Sequence, residues 1–345
     1  MKKAITLFFV TFLATVVVFG QQSKLEKQID SLILHDSTKP FNGVVLIYQG
    51  DEIVYSKAHG FADFVRKYPL QMNSQFVIGS VSKQFTAVLV LQEYENGRLK
   101  LEDPIGKYLP ELRQPWADTV TIHDLLTHMH GIYALDKPTA FRTGTAFSYA
   151  YSSLGYDLLA KIVEKTSGKS FVEISENLFD KCGMKNTFHP QSNKHNNLVK
   201  GYYEDTDGNI IFDDESFKHP VAAGAFIATA EDLMVWNSEV FSGKLLKKET
   251  MNLLLTKHKG AVRNHPIFGF TEYGYGYTID TSNGIMQCGQ TGYAPGFVSM
   301  NFYFPGSETG VVVLENVTYD LDDLKKTFSY HTEILNMVRA DQVSE

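Results

Sequence analysis

Strand-forming segments lie at both ends of this chain, and helix-forming segments dominate the long middle. Residues 44–48 form a β-branched and aromatic run, and Gly50-Asp51 supplies the turn before a second run at 53–55. The C-terminal part carries four more strand-like runs, at 273–278, 284–290, 297–304 and 309–314. This order predicts an α+β fold whose antiparallel sheet is built from both ends of the chain, with helices on its faces and a mostly helical insertion.

The helical middle begins with the clearest amphipathic segment. In residues 80–95, Phe85, Val88, Leu89 and Gln92 recur at i, i+3, i+4 and i+7, and Asn96-Gly97 ends the pattern. Further helices are predicted at 123–127, 155–167 (closed by Gly168), 230–241 and 321–338. We therefore predict a sheet region at 24–75 and 262–340, and a mainly helical region at 76–261, in one continuous catalytic unit.

Composition excludes several classes of protein. The chain has 345 residues, of which 43% are hydrophobic and 21% charged, with a formal net charge of -7. Such a balance is typical of a globular protein with a large core, and it excludes disordered and disulfide-dense chains. Because phosphate binding needs a concentrated basic face, nucleic acid is excluded as a partner.

The N-terminus has the pattern of a secretory signal peptide. Lys2 and Lys3 precede an apolar stretch at 4–19, and Gly20 is followed by polar residues. We predict cleavage after a signal peptide at 1–20, export to the periplasm or the extracellular space, and no stable membrane span afterwards; the alternative is an N-terminal membrane anchor. In an oxidising compartment, Cys182 and Cys288 could form a disulfide or remain two buried thiols.

Ser80 and Lys83 are the first candidates for chemistry. They lie three residues apart at the start of the predicted helix, which places both side chains on one face. A partly desolvated lysine can take the proton of a neighbouring serine, and a helix N-terminus offers free N–H groups to developing negative charge. The other interpretation is an N-cap serine beside a surface lysine.

The segment Gly79-Ser80-Val81-Ser82-Lys83 resembles the nucleophile motif of serine β-lactamases and penicillin-binding proteins. It is most similar to class C β-lactamases and the related serine hydrolases and D-amino-acid peptidases. Residues 97–110, 121–128 and 228–233 resemble further segments of that family in the same order. The resemblance implies the serine β-lactamase/transpeptidase-like fold, with the active site between the sheet and the helical region.

The family's second motif, Tyr-x-Asn, is similar to Tyr151-Ser152-Ser153, because residues 154–159 follow at the family's spacing. The resemblance implies that Tyr151 exchanges protons between the serine and the leaving group. A second register remains open, in which residues 144–148 belong to the motif and Tyr149 is the catalytic phenol. Ser153 replaces the motif's asparagine, and its short hydroxyl predicts weaker recognition of substrate amides.

The third motif is similar to Gln290-Thr291-Gly292-Tyr293, where relatives have Lys-Thr-Gly or His-Thr-Gly. The resemblance implies that this strand lines the pocket, with the N–H groups of Ser80 and Tyr293 as oxyanion donors. Gln290 replaces a cation, so we expect poorer binding of a substrate carboxylate and a preference for uncharged esters.

Three neighbouring histidines, His123, His128 and His130, have a spacing that could bind zinc. The family resemblance implies structural roles for them instead, and neither a metal nor another cofactor is expected.

Taken together, the sequence predicts an exported serine hydrolase that cleaves esters or amides through an acyl-enzyme on Ser80. One alternative is a catalytically inactive binder of cell-wall peptides or of a partner protein. A second alternative is a D-Ala-D-Ala carboxypeptidase or a class C-type β-lactamase. The oligomeric state and the physiological substrate are left open.

Overall fold

A computed structural model describes residues 23–132, 134–136, 149–265 and 267–344. The predicted signal peptide at 1–20 and the residues 144–148 of the alternative tyrosine register lie outside the described residues.

One large antiparallel sheet forms the centre of the described chain. Its strand order is β2-β1-β14-β13-β12-β11-β10-β9, so the N-terminal hairpin pairs directly with the last long strand. The strands are β1 (Gly43–Gln49), β2 (Glu52–His59), β3 (Phe61–Asp63), β4 (Tyr68–Pro69), β5 (Phe76–Val77), β6 (Gly201–Glu204), β7 (Ile210–Asp213), β8 (Ile227–Ala228), β9 (Val262–His265), β10 (Gly269–Tyr273), β11 (Thr278–Asp280), β12 (Gln287–Ala294), β13 (Phe297–Phe304), β14 (Thr309–Glu315) and β15 (Val317–Thr318). The prediction of one sheet built from both ends of the chain is confirmed.

Helices cover both faces of the sheet and fill the middle of the chain. They are α1 (Lys24–Ile33), α2 (Ser82–Glu95), α3 (Ile122–Leu126), α4 (Ser153–Ser167), α5 (Phe171–Cys182), α6 (Val221–Gly224), α7 (Ala230–Phe241), α8 (Lys248–Leu254), α9 (Leu324–Thr327) and α10 (Ser329–Ser344). Short 3₁₀ turns lie at Gly79–Val81, Ile105–Lys107, Pro115–Asp118, Pro190–Ser192 and Ser282–Gly284.

The alternation of side chains along the strands explains the layers. Val44 and Leu46 face the larger core around α2, whereas Val45 and Ile47 face a smaller core under α1 and α10. Both faces are apolar because helices cover both, so β1 has a nearly continuous hydrophobic sequence rather than a strict alternation.

The helix α2 is the central element of the larger core. Its amphipathic pattern widens to a helix buried nearly all round, because α4, α5, α6 and α8 pack against it. Helix α4 ends at Gly168 in the left-handed conformation, with φ of 72°, as the sequence predicts.

Two predicted elements differ from the structure. The run at 273–278 is not one strand, because Gly276 at φ of 76° turns the chain between β10 and β11. The predicted closing helix at 321–338 is two helices, α9 and α10, with Phe328 between them. Among the described residues, no helix is both long and apolar enough to cross a bilayer.

Candidate active site

Ser80 and Lys83 lie at the N-terminal end of α2, beneath the large sheet. Ser80 occupies the 3₁₀ turn that precedes the helix, and Lys83 occupies its first turn. The Lys83 Nζ donates to Ser80 Oγ at 3.1 Å and to the carbonyl oxygen of Ala223 at 2.6 Å. The predicted pairing of the two side chains is therefore present.

Lys83 is fully buried, while Ser80 is half-buried and lines a pocket. Burial lowers the pKa of Lys83, because removal from water disfavours the ammonium. The neighbouring Tyr151 raises this pKa, and Arg263 lowers it further. A lysine in this position can exchange a proton with Ser80 rather than remain a fixed charge.

Tyr151 lies just before α4, and its ring faces two cations. Its ring centroid is 4.9 Å from Lys83 Nζ and 4.4 Å from Arg263 Cζ. Burial alone would raise the pKa of Tyr151, but the charges of Lys83 and Arg263 more than offset this and lower it. The phenol therefore sits where its ionised form is stabilised.

The segment before α4 is held in place by a buried histidine. Ser152 N–H donates to His128 Nδ1 at 3.2 Å, and the His128 ring lies 4.3 Å from the Tyr151 ring. His128 itself has φ of 58°, a strained value for a residue with a Cβ.

The alternative phenol, Tyr149, has different surroundings. Its ring packs against His128 and Tyr273, at 5.7 Å between centroids in each case. Burial raises the pKa of Tyr149, so it stays protonated. The geometry supports Tyr151 over Tyr149 as the phenol next to Lys83, and its catalytic role stays a prediction.

Strand β12 runs next to the serine, as its close approach to the turn at Ser80 shows. A methyl group on Gly292 would lie 2.9 Å from Ser80 N and would collide with the carbonyl oxygen of Ile78. Gly79, at φ of 50°, has no room for a side chain against Tyr293 N. The backbone nitrogens of Ser80 and Tyr293 therefore lie where the turn and β12 are in close contact, which only glycine at 79 and 292 permits.

Gln290 has a different role from the one that the sequence alone suggests. It is fully buried; its Nε2 donates to Tyr273 Oη at 3.0 Å, and its Oε1 accepts from Arg263 Nη1 at 3.3 Å. Arg263 on β9 brings a guanidinium to this place, so the pocket has a cation although Gln290 is neutral. The expected preference for uncharged esters stays a prediction.

Thr291 is held by a second residue of β9. His265 Nδ1 accepts the N–H of Ile267 at 3.1 Å, so the ring proton lies on Nε2, which donates to Thr291 Oγ1 at 3.1 Å. Burial lowers the pKa of His265 to about 3, so the ring stays neutral. Since Thr291 Oγ1 accepts from His265, its own hydroxyl proton is free to point elsewhere.

The pocket above Ser80 has a volume of about 280 Å³. The predicted residues Ser80, Tyr151, Ser153, Thr291 and Tyr293 line it, whereas the predicted residues Lys83, Gln290 and Gly292 do not. Sequence reasoning missed the other residues of the lining: His219, Ala223, Gly224, Arg263, Ile267, Leu324 and Phe328. No carboxylate of the described residues lines it.

Hydrophobic periodicity does not single out Arg263 and His265, because the only apolar residue of β9, Val262, faces outward. Residues 262–265 alternate between outward and inward positions, so Arg263 and His265 share one face of β9. The pairing of β11 with β12 ends at Gly289, and these two side chains reach β12 at the next two residues.

The other predicted candidates have protein partners. His123 contacts Tyr275 Oη at 2.8 Å, and His130 Nδ1 accepts the N–H of Ile132 at 2.9 Å. Among the described residues, no cluster of histidine, cysteine and carboxylate side chains has the arrangement of a metal site. Cys182 and Cys288 are buried, free thiols.

Comparison with known proteins identifies the family of this chain. The sequence model of the Beta-lactamase family matches residues 35–335. The teichoic acid D-alanine hydrolase of Staphylococcus aureus is 25% identical over 291 residues, which cover 77% of this chain and 70% of that protein.

Solved structures agree with the sequence comparison. A penicillin-binding protein from Bacillus halodurans superposes with a TM-score of 0.75 at 25% identity, covering 91% of this chain and 99% of that one. The D-amino acid amidase from Ochrobactrum anthropi SV3 shares the fold, with a TM-score of 0.76 at 19% identity, covering 93% and 100%. The predicted resemblance and fold are confirmed: the chain belongs to the Beta-lactamase family and is a serine hydrolase of the penicillin-binding-protein-like kind.

Proposed function

We propose that this chain is an exported hydrolase that cleaves ester or amide bonds through an acyl-enzyme on Ser80. The observation that carries the proposal is the 3.1 Å contact between Lys83 Nζ and Ser80 Oγ, with the Tyr151 ring 4.9 Å from the same nitrogen. A nucleophile, a partner able to hold its proton and a second titratable group meet at the wall of one pocket.

In the acylation step, Ser80 Oγ attacks the carbonyl carbon of the substrate. The hydroxyl proton passes to the Tyr151 oxygen, with Lys83 stabilising the phenolate before the transfer. The new C–O bond gives a tetrahedral intermediate, whose collapse expels the alcohol or amine. The leaving group keeps the electron pair of the broken bond and takes the proton from Tyr151.

The oxyanion of the intermediate needs donors that are already oriented. We assign this role to the N–H groups of Ser80 and Tyr293, whose nitrogens lie at the close contact between Gly79 and Gly292. In other enzymes, loss of one such donor costs roughly 10²–10³ in kcat. In deacylation, water attacks the acyl carbon and gives its proton to the Tyr151 oxygen. The bond between the acyl carbon and Ser80 Oγ then breaks, Oγ takes the proton from Tyr151, and the carboxylic acid leaves.

The chemical class of the substrate is an ester or an amide of a carboxylic acid. A curated relative acts on teichoic acid D-alanine and a structural neighbour on D-amino acid amides, as their names say. Both are acyl transfers to water, which is the reaction that this site supports. Export is proposed from the signal-like segment at 1–20.

Arg263 supports a second candidate within the same class, a D-Ala-D-Ala carboxypeptidase or a β-lactamase. Such substrates carry a carboxylate, and a guanidinium that lines the pocket can bind it through charge-assisted hydrogen bonds. This candidate requires that a penicillin or a D-Ala-D-Ala peptide acylates Ser80 faster than an uncharged ester does.

Intact-protein mass spectrometry tests the proposal. The mature protein is incubated with a fluorophosphonate, with p-nitrophenyl acetate or with benzylpenicillin, and the adduct is mapped by peptide digestion. We expect one phosphonyl adduct on Ser80, absent in Ser80→Ala. The variant Ser82→Ala is the matched control, because Ser82 lies two residues from Ser80 and its hydroxyl oxygen accepts the backbone N–H of Phe226.

The outcomes separate the candidates. Adducts with the fluorophosphonate and turnover of the ester support the hydrolase. A persistent penicilloyl adduct or efficient penicillin turnover favours the second candidate. An unchanged mass with all three reagents would contradict the proposal and favour a catalytically inactive binder.

A further inference from the structure

We propose that Arg263, held in place by Gln290, is a positioning residue that keeps the Tyr151 oxygen ready to accept a proton. This inference rests on the proposed function, since it assigns how the same site stays active. It gives Gln290 a role that a lysine at that position could not fill.

The geometry of the guanidinium carries the inference. Arg263 Cζ lies 4.4 Å from the centroid of the Tyr151 ring, within the range of a cation–π contact. Its Nη1 donates to Gln290 Oε1, so one end of the cation is fixed by a side chain that is fully buried. A long arginine side chain would otherwise sample many rotamers.

Gln290 is itself fixed at both ends. Its Nε2 donates to Tyr273 Oη, and His128 Nε2 contacts the same oxygen at 3.3 Å. His128 also accepts the N–H of Ser152, next to Tyr151. Gln290 on β12, which binds Arg263, and the segment before α4, which carries Tyr151, therefore belong to one hydrogen-bond network.

The remaining groups around Tyr151 do not replace this charge. The ionisable side chains that face it from the packed elements are Lys83 of α2, His128 of the segment after α3, Tyr149 and Tyr156 of the segment around α4, and Tyr273 of β10. Burial lowers the pKa of His128 and raises those of the three tyrosines, so these four groups stay neutral.

Arg263 and Lys83 differ in one respect that matters during turnover. An arginine side chain keeps its proton at every accessible pH, whereas burial lowers the pKa of Lys83 and allows it to become neutral. The charge of Lys83 thus varies with the proton that it shares with Ser80 and Tyr151. Arg263 supplies the constant part of the field that stabilises the phenolate.

The pH dependence of Ser80 labelling tests the inference. The second-order rate of fluorophosphonate labelling and kcat/KM for the uncharged p-nitrophenyl acetate are measured between about pH 5 and pH 10. The variants are Arg263→Met and Arg263→Lys, with Arg113→Met as the matched control, because Arg113 is exposed. An uncharged ester ensures that no substrate charge meets the guanidinium.

For Arg263→Met we expect the acid limb of both profiles to move upward by about one pH unit or more, the usual effect of removing an opposite charge at this distance. The rate then falls about tenfold near neutral pH and approaches that of the unmodified protein at high pH. In Arg263→Lys, which keeps the positive charge, the acid limb should stay close to its position in the unmodified protein. In Gln290→Met it should move in the same direction as in Arg263→Met, but by less.

A merely structural role predicts a different result. An equal loss of rate at every pH, or an acid limb that does not move in Arg263→Met, overturns the inference. If Arg263→Met fails to fold, as judged by circular dichroism, Arg263→Gln takes its place, since an amide can still bond Gln290 without carrying charge. If the unmodified protein labels at no serine, the proposed function fails, which is a separate outcome from an unmoved limb.

Discussion

Two groups of buried titratable side chains lie on opposite faces of the large sheet. On the α2 face, Lys83 and Tyr151 line or adjoin a pocket and meet Arg263. On the α10 face, Glu315 of β14 and His331 of α10 lie 3.3 Å apart, and each is at most 2% exposed. Both groups have strongly shifted pKa values, and only the first opens to solvent.

The difference lies in how each group is compensated. Tyr151 has two cations beside it, so its pKa falls although burial acts in the opposite direction. In the part of the chain that the structure describes, no cation lowers the pKa of Glu315 in this way. Burial raises the pKa of Glu315 to about 8 and lowers that of His331 to about 3, so both are neutral near pH 6. A shifted pKa alone does not mark an active site; a pocket and nearby donors for a reacting group are also needed.

The largest expected effect is on catalysis by the group at the pocket, Lys83, Tyr151 and Arg263. Tyr151→Phe removes one hydroxyl and should lower kcat/KM for p-nitrophenyl acetate by roughly 10²–10⁴, the range for a positioned acid–base group. The fold should persist, because the ring still packs against His128. Steady-state kinetics and circular dichroism measure the two effects.

The matched control for this change is Tyr149→Phe, two residues upstream. Its hydroxyl should matter little, because burial keeps it protonated. If Tyr149→Phe is inactive and Tyr151→Phe is active, Tyr149 is the catalytic tyrosine. The contact of Arg263 with Tyr151 would then have no part in the reaction.

The buried pair of Glu315 and His331 should affect stability rather than catalysis. The raised pKa of Glu315 means that the folded state binds a proton that the unfolded state has lost between about pH 4.5 and 8. Its contribution to the free energy of unfolding is therefore full below pH 4.5 and falls as pH rises, by about 1.4 kcal/mol per pH unit. The lowered pKa of His331 acts in the opposite sense between about pH 3 and 6.5.

These two pH ranges predict where the effect of Glu315 on the free energy of unfolding can be measured. The contributions oppose each other between about pH 4.5 and 6.5, so the loss from Glu315 should emerge between pH 6.5 and 8. In Glu315→Gln that loss should disappear, with kcat/KM unchanged. Urea unfolding at pH 6.5 and pH 8 measures it. A strong destabilisation of Glu315→Gln at both pH values would show an ionised pair instead, because it would leave a buried His331 charge unpaired.

The same contrast explains which parts of the molecule the sequence could predict. The contact of Ser80 with Lys83 is predictable because the two residues lie three positions apart at the start of a helix. The end of α4 is predictable from Gly168. Both features depend only on neighbouring residues in the sequence. The contacts of Arg263 with Gln290 and of His265 with Thr291 span 27 and 26 residues. They depend on how β9 and β12 are arranged in one sheet, with β10 and β11 between them, and hydrophobic periodicity does not determine this arrangement.

Errors in the predicted elements have the same origin. The run at 273–278 has strand composition, but Tyr275 N–H bonds the carbonyl oxygen of Leu254 rather than a neighbouring strand. The closing helix breaks at Phe328, whose side chain is buried and lines the pocket. Tertiary packing overrides local propensity at both places.

The smallest expected effect comes from one hydroxyl at the edge of the group at the pocket. His265 donates to Thr291 Oγ1, and its Nδ1 is occupied by backbone N–H groups, so the Thr291 proton has to point to another acceptor. Since Thr291 lines the pocket, we expect that acceptor to be an oxygen of the substrate. Thr291→Val keeps the shape and removes the donor.

The variant Thr291→Val should lower kcat/KM by about twofold to twelvefold, the value of one neutral hydrogen bond of about 0.5–1.5 kcal/mol. Thr291→Ser keeps the hydroxyl and should retain most of the activity, which separates the lost donor from altered packing. The acid limb of the pH profile should stay in place in both variants, because Thr291 carries no charge and acts on the substrate rather than on Tyr151. A limb that moves in Thr291→Val as far as in Arg263→Met would mean that disturbing β12, rather than removing the guanidinium charge, changes the phenol.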